Sequence, residues 1–402
     1  MGGTNGEVLQ QIVDDFNASQ DEIEVKAEYQ GTYDDTITKL KAAMQSDSGL
    51  PDVCQMYDVG TKFMYDSGAV IPVEDKFEST GYDKSSVMEV ISSYYTVDGK
   101  QYAMPFNVST PMLYYNKDVF EAAGLDPETP PTTYDEVLED AKKIVESGAA
   151  PVGYSQAIYG WFFEQQLAGL GVTYGNNDNG RTEAVTAVDF DSNGGGLKVF
   201  DMWKKLYDSG YFEDYGTTTA DTQTAFFSGQ VGMIIESTAI LKNAVDSSPF
   251  EVGTGYLPRI EQNDEGGVII GGGSLWLTDT GNEANEDAAW KFIEYITTPD
   301  VQAKWSMGTG YFAINEKAYE TEDMKAYLKE NPNFETAINQ LKDSPVNCNT
   351  AGVLSGVQTE ARLTFNEIMP QVYDGKLTTQ DAVDQLAASV NKAIENYNES
   401  IK

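Results

Sequence analysis

The chain's only bidentate donors for a carboxylate or phosphate are its three arginines, Arg181, Arg259 and Arg362. Arg362 stands at the head of the run Arg362-Leu-Thr-Phe-Asn-Glu-Ile-Met369, whose apolar spacing predicts a helix. A guanidinium at the positive end of a helix dipole is a ready anion site, and the competing reading is a surface salt bridge. The segment Val268-Ile-Ile-Gly-Gly-Gly-Ser-Leu-Trp276 sets three glycines in an apolar run, where each weakens a strand. Bare backbone is needed there, for a close ligand or a hinge in the favoured reading, or else for a bulge or tight helix packing. Phe106-Asn-Val-Ser-Thr110 offers hydroxyl and amide groups just before the strand-like Met112-Leu-Tyr-Tyr-Asn116. Tyr33, Tyr57, Trp161, Phe162, Phe163, Trp276 and Tyr311 sit beside glycines, turns or polar segments. Such aromatics serve as packing or as platforms for a hydrated ligand.

Histidine is absent, which excludes Ser-His-Asp and Cys-His catalysis in their usual form and most zinc sites. No metal and no cofactor is expected. Cys54 and Cys348 form no CxxC pair and read as free thiols. The net charge of −38 repels nucleic acid and the anionic face of a membrane, so neither is an expected partner. No stretch approaches the run of about 20 apolar residues that spans a bilayer, and Met1 to Glu7 lack an export signal.

The elements that must position these residues alternate in type. Val8, Leu9, Ile12, Val13 and Phe16 predict a helix, and Ile23, Val25, Ala27 and Tyr29 alternate as a half-buried strand does. A helix follows over 36–44 and a buried strand over 52–57, so the opening reads as a βαβ series whose first strand is missing, and the expectation is that a strand precedes Met1 or that the sheet tolerates its loss. Strands are predicted over 152–155 and 231–236, and helices over 197–207 and 288–296. Ala382, Val383, Leu386, Val390, Ala393, Ile394 and Tyr397 mark a C-terminal amphipathic helix. The acidic loop 261–267 reads as a solvated connection. The fold class is α/β, and the chain's 402 residues suggest two domains.

Six segments in order resemble the family 1 extracellular solute-binding proteins of ABC importers. They are Gln30-Gly-Thr-Tyr-Asp34, Gln55-Met-Tyr-Asp-Val-Gly-Thr61, Pro105-Phe-Asn-Val-Ser-Thr-Pro111, Lys117-Asp-Val-Phe-Glu-Ala-Ala-Gly-Leu-Asp-Pro127, Ile269-Ile-Gly-Gly-Gly-Ser-Leu-Trp276 and Thr309-Gly-Tyr311. The resemblance is strongest to the branch that binds glycerol 3-phosphate. It implies a two-lobed periplasmic-binding-protein-like fold with discontinuous lobes, 1–110 with 272–308 and 111–271 with 309–402, that closes on its ligand by a hinge. It also implies a non-enzymatic, monomeric protein working outside the cytoplasm, free or lipid-anchored, with ABC permease subunits as its partners. The ligand it implies is glycerol 3-phosphate or a glycerophosphodiester such as glycerophosphocholine. Carried over, the site is Tyr33, Asp58, Ser109, Trp161, Ser237, Gly272, Tyr311 and Arg362. Arg362 and the hydroxyls of Ser109, Ser237 and Tyr311 take the phosphate, and Asp58 and Tyr33 hold the glycerol. The family's pattern has Glu where this chain has Asp58, which shortens that acceptor by one methylene. An oligosaccharide ligand is the alternative, and a polysaccharide hydrolase or lyase built on paired carboxylates is the rival from another class.

Overall fold

A computed structural model describes residues 1–46 and 49–401. The chain divides into two compact units, the first made of Met1–Ser109 and Ile270–Asn331, the second of Thr110–Ile269 and Pro332–Lys402. The division differs from the expected one chiefly over 309–331, which stays with the first unit. Local pairing explains this: Phe312 N–H donates to the Val108 carbonyl at 3.0 Å, Met88 N–H to Ile314 at 3.1 Å, and Asn315 Nδ2 to Thr297 at 2.8 Å.

The sheet strands in chain order are β1 (Val53–Tyr57), β2 (Val70–Ile71), β3 (Met104–Ser109), β4 (Pro111–Asn116), β5 (Val152–Ser155), β6 (Val231–Ser237), β7 (Val252–Gly255) and β8 (Gly271–Thr278). In the first unit β8 is central and antiparallel to β1, β2 and β3. In the second unit the order is β5-β6-β4-β7, with only β5 and β6 parallel. The repeated βαβ reading of the opening is therefore corrected. The return strand β8 comes from more than 200 residues downstream of β1 and supplies antiparallel pairing that no local pattern announces.

Helix α1 (Gly3–Ser19) buries Ile12, Val13 and Phe16, the predicted stripe, and Phe16 meets Phe292 edge-on at 5.3 Å. The predicted strand over 23–29 does not form: the segment joins no sheet, and Tyr29 is 63% exposed. Its backbone is tied to α1 instead, with Val25 N–H donating to Asn17 Oδ1 at 2.8 Å and Asn17 Nδ2 donating back to the Val25 carbonyl at 2.9 Å. Helix α2 (Tyr33–Met44) starts three residues before the predicted one, because Thr32 and Asp35 form a capping box. Those bonds from Thr32 hold the Asp35 carboxyl below its usual range.

In the second unit helix α3 (Gly160–Gly169) follows β5, helices α4 (Gly195–Asp208) and α5 (Gln358–Tyr373) pack on it and on each other, and α6 (Thr379–Ser400) packs on α4 and α5. Ala382, Val383, Leu386, Val390, Ala393 and Ile394 of α6 are buried as predicted, in one core with Phe163, Phe200, Trp203 and Phe365. Around Phe365, the rings of Phe163, Phe200 and Trp203 lie 5.1, 5.5 and 5.5 Å away.

Candidate functional site

In the first unit the register of β8 gathers residues distant in sequence. Tyr57 lies opposite Gly273 and Ser109 opposite Gly271, so the carboxyl ends of β1 and β3 share an edge with the start of β8. Asp58, in the turn just past β1, and Ser109, the last residue of β3, both lie buried on that edge. Tyr311 reaches the same edge through the Phe312–Val108 bridge. Tyr33, at the first position of α2, accepts from Asn107 Nδ2 at 3.0 Å, and Gln55 Nε2 donates to Asn107 Oδ1 at 2.6 Å. Five predicted residues, Tyr33, Asp58, Ser109, Gly272 and Tyr311, thus belong to one end of one sheet.

Two stacked aromatic pairs stand there. Tyr33 and Tyr57 have centroids 4.9 Å apart and planes 12° apart, and Trp305 and Tyr311 lie 5.8 Å and 4° apart. Burial pushes the Tyr311 hydroxyl up, and its bond with Asn107 offsets part of that. Sequence reasoning missed Trp305 and gave no role to Gln55 and Asn107, which fall within the segments that carry the family resemblance. Trp305 carries a buried indole N–H with no partner in the structure.

The glycine run has a local explanation in the bulge that was the alternative reading. Gly272 has φ +98°, and a Cβ there would lie 1.8 Å from the Asn107 carbonyl oxygen. The register of β8 against β3 also slips between Gly273 and Ser274. The bare backbone serves a bulged close approach of two strands.

In the second unit β5 and β6 run parallel to a common carboxyl edge. Ser237 ends β6, and its hydroxyl oxygen accepts from Ala239 N–H at 3.2 Å while its carbonyl accepts from the Tyr114 hydroxyl at 2.7 Å. Beside it Glu236 is buried and accepts from Gln223 Nε2 at 2.9 Å and Ser237 N–H at 2.7 Å. Desolvation nevertheless raises its carboxyl above the usual range.

The loop after β5 leads into α3, whose first residue has no room for a side chain: a Cβ on Gly160 would meet Arg362 Cα at 2.5 Å. Gly160 N–H also donates to Asn366 Oδ1 at 2.9 Å, which fixes the start of α3 against α5. Arg362 is the fifth residue of α5 rather than its head, because the helix begins at Gln358. Its fork is also engaged: Nε donates to Glu164 Oε1 at 2.8 Å and Nη2 to Glu164 Oε2 at 2.7 Å. Both residues are buried, at 8% and 6% exposure. The salt-bridge alternative therefore holds, as a buried bidentate pair rather than a surface one.

Sequence reasoning missed Glu164 and Gln358. Gln358 Nε2 donates to Glu164 Oε1 at 3.0 Å, while its own carbonyl oxygen is buried without a partner. The indole N–H of Trp161, 5% exposed, is likewise unpartnered. Burial pushes the neighbouring Tyr174 hydroxyl up, with the Glu164 charge adding and a bond from Gln358 opposing. The signal was the triplet Glu164-Gln165-Gln166 inside an otherwise apolar helix buried nearly throughout. Gln165 is satisfied by the Ile269 backbone at 2.7 and 2.9 Å, and Gln166 by Tyr134 and Trp203 at 2.8 and 2.6 Å.

A groove of about 320 Å³ elsewhere in the second unit is lined by Asp135, Leu138, Glu139, Lys142, Lys205, Ser209 and Tyr211, none of them a candidate residue. The described residues of the two edges offer hydroxyls, amides, aromatic faces and a buried guanidinium–carboxylate pair, and Cys54 and Cys348 are both free. Each edge by itself carries groups that suit a polar ligand.

Residues 11–336 match the family described as bacterial extracellular solute-binding protein. The sn-glycerol-3-phosphate-binding periplasmic protein UgpB of Escherichia coli strain K12 is 30% identical over 409 residues, covering 100% of this chain and 92% of that protein. Its Pectobacterium atrosepticum counterpart is 30% identical over 410 residues, covering 100% and 91%. Among solved structures, the cyclic alpha-maltosyl-1,6-maltose binding protein of Arthrobacter globiformis superposes with TM-score 0.81 at 26% identity, over 98% of this chain and 97% of that one. UgpB of Mycobacterium tuberculosis, in complex with glycerophosphocholine, superposes with TM-score 0.82 at 20% identity, over 98% and 95%. No helix among the described residues is long and apolar enough to cross a membrane. With a family match over most of its length and relatives aligned over all of it, this chain belongs to the bacterial extracellular solute-binding proteins, the ligand-capturing components of ABC transporters, and has their periplasmic-binding fold.

Proposed function

We propose that this protein captures glycerol 3-phosphate or a glycerophosphodiester outside the cytoplasm and passes it to the membrane subunits of an ABC permease. The observation that carries this reading is the buried, unpartnered Trp161 indole N–H on α3, the helix whose Glu164 holds the Arg362 guanidinium. An unpaired buried donor costs about 1–3 kcal/mol, which an arriving phosphate oxygen recovers. The relatives named for glycerol 3-phosphate, at 30% identity, support the same ligand class. In this reading Arg362, Trp161 and the hydroxyls of Ser237, Ser109 and Tyr311 take the phosphate. Tyr33 and the short acceptor Asp58 take the glycerol hydroxyls, and Gly272 keeps the backbone edge open.

Calorimetry with glycerol 3-phosphate, glycerophosphocholine and maltotriose tests it. The expected result is one-to-one binding of a phosphate compound, weakened about tenfold or more by Arg362→Lys, which keeps the charge and loses the planar fork. Binding of maltotriose with no response to either phosphate compound would overturn it. That outcome would favour the oligosaccharide reading, which the two stacked aromatic pairs of the first unit and the 26% identical maltosyl-maltose binder support.

A further inference from the structure

Arg362 is the guanidinium that the phosphate reading needs, and Glu164 holds one edge of it with both carboxylate oxygens. We propose that Glu164 is a specificity-determining residue, selecting a phosphodiester that carries a cationic headgroup against a phosphate monoester. The inference rests on the phosphate reading above and deepens it.

The charge balance is the first step. Side chains of Arg362 and Glu164 are 9% and 7% exposed, so the pair is desolvated and its net charge is near zero. A monoester approaching Arg362 brings close to two negative charges toward a carboxylate that is already there. In a dry site such like-charge crowding is unscreened and unfavourable. A diester brings one negative charge, and a cation on its headgroup balances Glu164 while the phosphate engages Arg362.

The surroundings of Glu164 supply the second step. Trp161 and Glu164 are three residues apart on α3 and so share a face of the helix. Tyr159 and Phe162 lie 6.2 and 5.8 Å from the Trp161 ring. A carboxylate beside aromatic faces is the combination that receives an ammonium group, through charge and through the ring quadrupole. Two buried polar atoms lack partners: the Trp161 indole N–H, one helical turn from Glu164, as donor, and as acceptor the carbonyl oxygen of Gln358, whose Nε2 donates to Glu164. One suits the phosphate, and the other suits a hydroxyl hydrogen of the ligand.

The test is a calorimetric comparison of three probes on the unmodified protein and on Glu164→Gln, with thermal melting to check folding. Glycerophosphocholine and glycerophosphoglycerol have the same diester charge and differ in the headgroup cation, and glycerol 3-phosphate is the monoester. The unmodified protein is expected to bind glycerophosphocholine at least tenfold more tightly than either of the others. Glu164→Gln is expected to shrink that ratio about tenfold, because removing the Glu164 charge tightens glycerol 3-phosphate binding and loosens that of glycerophosphocholine. Equal affinities of the unmodified protein for the two diesters would overturn the proposal even if the variant fails to fold. So would an unchanged ratio in a folded variant. If no phosphate compound binds the unmodified protein and maltotriose does, the phosphate reading itself has failed, a result distinct from both.

Discussion

Gly272→Ala separates the two explanations of the glycine run, because the geometry fixes what the added methyl meets. At φ +98° an alanine is strained whatever the space around it, at a cost of about 1–2 kcal/mol. The new Cβ would sit 1.8 Å from the Asn107 carbonyl oxygen, whereas real contacts stay beyond 3.0 Å, so β3 and β8 must part by roughly 1 Å. That movement strains the ladder where Val108 faces Gly272 and Ser109 faces Gly271. One or two weakened backbone bonds at about 1 kcal/mol each bring the total to about 3 kcal/mol. Gly210→Ala is the internal control, since its φ of +76° is also strained but nothing lies within 4 Å of the added methyl, leaving about 1 kcal/mol. Urea unfolding of both variants, with midpoint and slope recorded, reads the difference. Equal midpoints would refute the strand-packing argument. Full stability with lost ligand affinity would return Gly272 to the ligand.

Two further measurements follow from burial. Burial pushes the Cys54 thiol up to about 12, so at pH 8 its thiolate is scarce and a thiol reagent should label the half-exposed Cys348 much faster; equal rates for the two would contradict the described burial. Glu236 binds its proton more tightly in the folded than in the unfolded chain, so stability is full below the ordinary glutamate pKa and falls as pH rises through the folded value. Glu236→Gln should therefore flatten the stability–pH curve on that side and match or exceed the parent at pH 7, and a steeper loss at pH 7 would show that the carboxylate's bonds to Gln223 and Ser237 outweigh its desolvation.

What the sequence could announce depended on whether the partner was near in the chain. The stripes of α1 and α6 are properties of a single helix, and periodicity alone reads them. Alternation over 23–29 suggests one inward side, yet Ala27 and Tyr29 are exposed, and Asn17 of α1 takes the Val25 backbone in place of a neighbouring strand. The glycine run announced a demand for bare backbone without naming the intruder. A ligand and the Asn107 carbonyl 165 residues upstream make the same demand. Arg362 shows the limit most clearly, since its partner lies 198 residues away. Yet the composition held the clue. A helix as apolar as Trp161-Phe-Phe-Glu-Gln-Gln-Leu-Ala168 must bury its glutamate, and a buried carboxylate demands a cation. Of the three arginines, the structure puts Arg181 on the carbonyls of Ala351 and Gly352 and Arg362 on Glu164. On the proposed phosphate reading, Arg362 serves both the ligand and Glu164. That shared demand on one guanidinium is what would let a residue outside the inherited ligand set bear on which phosphate the site accepts.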